Sequence, residues 1–380
     1  MNLDSRNKNV IDHKSDLETI HILEKFPVFM GCVEHDISED IFVDMHWSIS
    51  KTNGVIQLNN LIPLDVLYQA DHDAGVVGGI WLEHHKEFAF FISKFIAKSV
   101  LEIGGAHGIL SREYKTLKKI NWLILEPNPS PVEGVDVEFI QGFFDNSFSI
   151  DREIDTIVHS HVLEHIYYPD EFLDNISNLL KEGQNLIFSL PNMEEMLKRN
   201  YTNCLNFEHT YFITEPYIEY LLSKHGFRKI AKEYFKDDHS IFYTFVKDSY
   251  QNVIELPSNL YASNKKKYLD FVNYHNKLIK KINKQISQSP EKQSIYLFGA
   301  HVFSQYLIQC GLSVNKIDYL LDNDVKKQDK RLYGTSLEVK SPNILIDKLN
   351  PLIILKAGVY SNEIKRDILN NINSSAIFLE

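Results

Sequence analysis

Cysteine is scarce in this chain, with only Cys32, Cys204 and Cys310 in 380 residues, too few and too scattered for a disulfide framework. No run reaches the roughly 18 apolar residues of a membrane span. The polar start, MNLDSRNKNVIDHKSD, has no apolar signal core. These absences argue against a membrane protein and a stapled secreted module, and the cytoplasm is the expected compartment. Positive charge is also in deficit: the net charge is -11, which argues against a general nucleic-acid binder. A small anionic substrate needs only a local basic pocket and stays open. The basic clusters, Lys265–Lys267 and Lys326, Lys327, Lys330 and Arg331, read as solvated faces. What is present is ordinary globular composition, 44% hydrophobic and 24% charged, at a length that implies two or three domains.

The chain is organised around Val100 to Leu110, VLEIGGAHGIL. A short apolar run ends at Glu102, Gly104, Gly105 and Gly108 follow, and a helical pattern resumes. This reads as a buried strand bending sharply into a helix, with glycine allowing close ligand approach. About twenty residues on, the strand-like NWLILE ends in Glu126, placed to accept the two hydroxyls of a ribose. A dinucleotide site reads G-x-G-x-x-G, but here an acid precedes two adjacent glycines. That acid would repel a pyrophosphate and could meet an ammonium group. A ribose joined to an amino acid fits, as in S-adenosylmethionine.

The rest of the chain frames this bend. Residues 1 to about 25 read as a poorly ordered or loosely helical leader, and Phe26 to Tyr68 as a cap of short strands. Cys32-x-x-His35 is half a zinc clip with no second pair, so a metal-free cap is expected; Cys32, His35 and His46 are the alternative ligands. Gly79–Lys98 carries Trp81, Phe88, Phe91, Ile92, Phe95 and Ile96 at helical spacing, and the preceding AGVVGG reads as a joint. Strands are expected at Asp136–Gln141, Ile154–Ser160 and Asn185–Leu190. Helices are expected at Pro169–Lys181 and around Pro216–Lys224. A pair at Phe227–Phe235 and Ser240–Lys247 closes an α/β sheet, parallel but for its antiparallel final strand. Ser263–Ser289 reads as a connecting helix. Ser294–Phe298, Ile317–Leu321, Leu352–Leu355 and Ala376–Leu379 form a second, smaller Rossmann-like sheet. The expected domains are 1–70, 71–250, 251–290 and 291–380.

VLEIGGAHG, LEPNP, QGFF, IDTIVHSHVLEH and LIFSLPN stand in the order of class I S-adenosylmethionine-dependent methyltransferases. From about residue 27 the chain resembles the three-domain sugar C-methyltransferases of deoxysugar and surface-glycan synthesis. YLFGAH and IDYLLDNDVKKQDKRLYGTSLEVKSP look like their third domain. The resemblance implies that Glu102, Gly104, Gly105 and Gly108 hold the methionine end and that Glu126 takes the ribose, with Pro127 beside it. It also implies that Phe143 flanks the adenine and that Ser160 and His161 lie beside the sulfonium. A Tyr-His-Glu-His run supplies the family's base; here it reads Asn206-Phe207-Glu208-His209, losing the Tyr. Most of the family's zinc-ligand cysteines are also missing.

Methyl transfer of this kind needs alignment and a proton acceptor. His209, oriented by Glu208, is the candidate base. His161 and His165 are further candidates, with His165 expected to pack beneath the strand end. Tyr68, Asn206 and Tyr211 are the candidate substrate contacts. The expected substrate is a sugar, probed best as a nucleotide-linked form, methylated on carbon or oxygen. A nicotinamide-dependent sugar oxidoreductase and a decayed cofactor-binding scaffold are the alternatives.

Overall fold

A computed structural model describes residues 3–68, 79–95 and 98–380. Three strands, β1 (Leu17–Pro27), β2 (Phe42–Ser50) and β3 (Ile56–Leu58), form an antiparallel sheet in that order. The expected leader is therefore folded: β1 runs through it, and Val10 and Ile11 are buried. Its polar residues build the turn that precedes the strand. The Asn9 side chain accepts from the Ile11 and Asp12 N–H groups and donates to Asp16 Oδ1 at 2.9 Å. A polar stretch that satisfies its own backbone in this way has little apolar periodicity to announce it. Leu64–Leu67 is a single helical turn after the sheet. Residues 69–78, with all of the AGVVGG joint but Gly79, lie outside the described residues.

The central sheet comprises β4 (Ser99–Ile103), β5 (Asn121–Glu126), β6 (Glu138–Gln141), β7 (Thr156–Ser160), β8 (Asn185–Pro191), β9 (Phe227–Phe235) and β10 (Ser240–Lys247). Their order across the sheet is β6-β5-β4-β7-β8-β10-β9, and β10 alone runs antiparallel to its neighbours. The short apolar runs make strands because both faces are covered. On one face, Val100, Ile124, Val158 and Ile187 pack with Phe88, Phe91 and Ile92 of α1 (Gly79–Ser93) and with Leu110 and Tyr114 of α2 (Ile109–Lys115). On the other, Leu101, Leu123, Ile157 and Leu186 pack against α3 (Pro169–Leu179) and α5 (Glu215–Lys224); α4 (Met193–Lys198) follows β8. The sheet reverses order between β4 and β7, so ligands are expected outside the carboxyl ends of these strands. An open cleft of about 1130 Å³ lies at the opposite, amino-end edge, among Val100, Trp122, Asp155 and Asn185.

The 29-residue helix α6 (Leu260–Gln288) joins two cores. Tyr268 and Phe271 enter the first, where Tyr268 meets Trp47 and Phe212. Leu278, Ile279, Ile282 and Ile286 enter the second. That second core covers a parallel sheet of β11 (Ile295–Phe298), β12 (Tyr319–Leu321), β13 (Val339–Lys340), β14 (Leu352–Leu355) and β15 (Ile377–Leu379), in the order β13-β12-β11-β14-β15. The two-residue β13 is too short to show a pattern in the sequence. After β11 comes α7 (Val302–Gln309). The cap is clipped to this sheet by Cys32–Val33, which pairs with Arg331–Leu332. Beside it Arg331 makes two 2.7 Å bonds to the fully buried Asp40 carboxylate. No helix among the described residues is long and apolar enough to cross a membrane.

Candidate active site

At the carboxyl end of β4 the chain turns through two left-handed glycines, Gly104 (φ 72°) and Gly108 (φ 70°), with Ala106 at φ 38° between them. The Gly104 N–H donates to the Leu125 carbonyl at 2.9 Å, and the Ala106 N–H to Glu126 Oε2 at 3.0 Å. A Cβ on Gly105 would sit 2.6 Å from Ile124 Cγ2, and one on Gly108 2.7 Å from Val135 Cγ1. Glycine is thus required at the bend, because a Cβ would collide with the side chains packed against it. Glu126 Oε1 accepts a second backbone bond, from Asn128 at 3.0 Å, which fixes the carboxylate with lone pairs left for two hydroxyls.

Glu102 stands elsewhere than the sequence suggested. It is 3% exposed, with Oε2 accepting from the Trp122 indole at 2.7 Å and its carboxyl group beneath Gly105. It props the bend from below, where an ammonium contact was expected. Burial raises its pKa to about 7, against the Trp122 bond. Pro127 follows Glu126 and its carbonyl accepts from Gln141. Phe143, half exposed, lies on the loop after β6. Ser160 ends β7, and His161 follows it in the left-handed region at φ 54°, sparsely used by non-glycine residues. The His161 ring abuts Trp81, and its Nε2 lies 2.9 Å from Ser240 Oγ.

The short helical turn Leu163–His165 then brings Glu164 and His165 to the same edge. Glu164 Oε1 lies 3.3 Å from His161 Nδ1 and 3.7 Å from His165 Nε2. His165 Nδ1 lies 3.0 Å from the Tyr68 hydroxyl and 3.5 Å from Glu208 Oε2. The His209 ring meets that of His165 edge-on, centroids 5.2 Å apart. Three of the predicted residues, Tyr68, Glu208 and His209, therefore converge with His165. The edge also reaches the bend, since Val162 packs on Gly104 and Asn128 Nδ2 donates to the Tyr68 carbonyl.

The cap holds the loop that carries His209. The Leu58 N–H donates to the Thr210 carbonyl and the Phe212 N–H to that of Ile56, so the loop extends the cap sheet beyond β3. Arg6 donates to the same Thr210 carbonyl at 3.0 Å. This corrects several expected roles. Asn206 is a turn residue, its Oδ1 accepting from the Glu208 and His209 N–H groups and its Nδ2 donating to the Asn203 carbonyl. Tyr211 is a core residue, 0% exposed, whose hydroxyl donates to the Leu163 carbonyl. Glu208 faces His165; the carboxylate acting on His209 is Glu164. His165 sits in the middle of the cluster, not beneath the strand end.

Glu164 is the residue sequence reasoning missed. Its signal was the run His161-x-x-Glu164-His165, in which an acid lies one turn from one imidazole and next to another. It is fully buried, and burial lifts its pKa to about 7, with His209 opposing the rise. Burial likewise lowers His209, with Glu164 and the Cys204 carbonyl working the other way, so its imidazole is neutral near pH 7. Burial pushes His161 down to about 3. Of the cap residues weighed as metal ligands, Cys32 donates to the Ala300 carbonyl, His35 sits beside Arg331, and His46 pairs with Thr19.

The sheet order, the bend and the acid at the end of β5 define a class I nucleoside-binding fold. Residues 81–232 match a family model described as a methyltransferase domain. Residues 81–232 therefore carry a methyltransferase domain, and the glycine bend with Glu126 fits S-adenosylmethionine as its cofactor. Solved structures similar to the chain include a methyltransferase from Thermotoga maritima described as a possible histamine N-methyltransferase. It is 18% identical over 44% of this chain and 89% of that one, TM-score 0.36. A second, from Clostridium acetobutylicum, is 14% identical over 49% and 96%, TM-score 0.34. The plantazolicin methyltransferase in complex with SAH is 12% identical over 44% and 84%, TM-score 0.36. Comparison with curated proteins finds no match.

Proposed function

We propose that the chain methylates a sugar, carried on a nucleotide, during deoxysugar or surface-polysaccharide synthesis in the cytoplasm. The observation that carries this reading is the Glu164–His165–His209 cluster beside the glycine bend, its acid buried and its two imidazoles partly so, since a sugar hydroxyl or a carbon next to a ketone must shed a proton. S-adenosylmethionine, when bound, supplies a methyl group already activated on a sulfonium. The chain's residues then have two tasks, to align and to deprotonate.

For alignment, the bend at Gly104, Gly105 and Gly108 takes the amino-acid end, and Glu126 takes the ribose hydroxyls. Pro127 and Phe143 flank the base, while Ser160 and His161 border the reacting centre. Such positioning is worth up to roughly 7–11 kcal/mol of the barrier. For deprotonation, His209 is neutral and partly buried, and a positioned base adds about 10²–10⁴-fold. Tyr68 reaches His165 from the cap, and in this reading it contacts the substrate. The breadth of the resemblance, which runs into the C-terminal sheet, supports the sugar.

Incubation with S-adenosylmethionine and a panel of nucleotide-linked sugars tests the reading. The expected outcome is a mass gain of one methylene on a nucleotide sugar, with fragmentation separating carbon from oxygen methylation. Methylation confined to amines or peptides in a wider panel would remove the sugar.

A further inference from the structure

Glu164 is 0% exposed, and neither of its carboxylate oxygens has a hydrogen-bond partner. Buried carboxylates ordinarily find donors or a metal ion. The groups facing this one are imidazole nitrogens, His161 Nδ1 at 3.3 Å and His165 Nε2 at 3.7 Å, and neither makes a hydrogen bond to it. Glu164, His165 and His209 each offer one ligand atom, and the three atoms lie within 4.8 Å of one another.

The far sides of these imidazoles are arranged as metal ligands require. His165 Nδ1 is turned to the Tyr68 hydroxyl and Glu208, and His209 Nδ1 lies 3.4 Å from the Cys204 carbonyl. With Nδ1–H donating outward, His165 presents Nε2 to Glu164 Oε1 at 3.7 Å, the outer-shell pattern that fixes ligating histidines. Ligands about 2.0–2.1 Å from a tetrahedral ion stand about 3.3 Å apart. Glu164 Oε1 and His165 Nε2, 3.7 Å apart, are close to that spacing, and a His209 ring nitrogen lies within 4.8 Å of the other two ligand atoms.

We propose that Glu164, His165 and His209 bind a divalent transition ion of the zinc kind, with Glu208 and Tyr68 as its outer shell. Two imidazoles and one carboxylate with no thiolate are the donor set of an open site, whose fourth position takes an exogenous oxygen. Resting on the methyltransferase reading, that oxygen is the acceptor hydroxyl. The ion weakens its O–H bond, and the proton passes to solvent water while the oxygen keeps the electron pair. In the metal-loaded protein His209 is a ligand, and the proton that it accepts in the metal-free protein goes to solvent water instead. The cap residues weighed as ligands from the sequence take no part: Cys32 donates to the Ala300 carbonyl and His35 sits beside Arg331.

The test uses the full chain, stripped with a chelator and titrated with Zn²⁺ alone, then with Co²⁺, whose visible absorption reports a tetrahedral nitrogen and oxygen site. We expect one ion per chain. Binding weakens about 100-fold in Glu164→Gln and in His209→Ala, and about 10-fold in the outer-shell variant Glu208→Gln. Circular dichroism checks that each variant folds, and calorimetry with S-adenosylmethionine on the same samples checks the cofactor crevice. No stoichiometric binding to the wild type, or binding that is unchanged in Glu164→Gln and so belongs to other histidines, overturns the proposal. Retained cofactor binding in either case leaves the methyltransferase reading intact, and its loss in the wild type would instead strike that reading.

Discussion

In the central sheet the Gly104 N–H donates to the Leu125 carbonyl and the Ala106 N–H to Glu126; in the C-terminal sheet the Gly299 N–H donates to the Leu321 carbonyl and the Ala300 N–H to Asp322. Both turns follow the first strand of a parallel sheet, and both end on an acid at the tip of the next strand. What lies over them differs. The first opens through three glycines toward the His–Glu cluster. The second has one glycine, a fully buried Ala300 whose carbonyl accepts from Cys32, and an Asp322 carboxylate 3.4 Å from Lys327 Nζ. Gln305 of α7 donates to the Phe29 and Tyr333 carbonyls, sealing cap and sheet together. An acid that is already neutralised, under a bend that is already covered, is a packing device. Shared strand–turn–acid geometry therefore says where a ligand could bind, and only the cover says whether one does.

The sharpest way to break this contrast is to strip the chemistry from each crevice in turn. His209→Ala should lower turnover by about 10²–10⁴-fold with cofactor affinity unchanged, whereas Lys327→Met should leave turnover at the wild-type level. Steady-state kinetics on whichever acceptor the substrate panel identifies measures both, and equal losses would mean that the two crevices act together. A smaller effect is expected at the acids. Glu126→Gln removes the charge from the ribose acceptor, and hydrogen bonds to charged groups contribute roughly 1.5–3 kcal/mol, about 10–100-fold in affinity. Asp322→Asn should leave the affinity for S-adenosylmethionine within about twofold. Calorimetry decides; a comparable loss in Asp322→Asn would make the C-terminal crevice a second cofactor site.

The strands of both sheets, the two-residue β13 apart, were legible because runs such as VLEI, LILE, IVHS and YLLD combine apolar residues with an acid or turn at the end. The bend and Glu126 were legible for the same reason, since one local offset carries the whole signal. Three things were not. The first 25 residues hide β1 and a buried turn behind polar residues that bond to their own backbone, as Asn9 does. Tyr211 and Asn206 looked like substrate contacts because they flank His209, yet Leu163 and the loop's own N–H groups claim them. Glu164 was overlooked because its meaning depends on His209, which reaches it only when the cap sheet pulls the later loop across β7. Sequence neighbours suggested Glu208 as the partner; the fold chose otherwise.

The smallest expected effect compares two glycines that are required for different reasons. At Gly105 the backbone is ordinary, but an alanine Cβ would stand 2.6 Å from Ile124 Cγ2 and 2.9 Å from Glu102 Cδ. Both neighbours belong to the buried floor of the crevice, so Gly105→Ala should cost about 1–3 kcal/mol of stability through overpacking. It should also weaken cofactor binding, because the floor can yield only by shifting the bend. At Gly299 the nearest atoms to an added Cβ are 3.8 Å away, but φ is 102°, a conformation that L side chains rarely adopt. Gly299→Ala should therefore cost about 1–2 kcal/mol through backbone strain alone. Denaturant titration gives the two stabilities and calorimetry the two affinities. Stability should fall in both variants and affinity in Gly105→Ala only, because the strain at Gly299 lies under a turn that the cap has already closed.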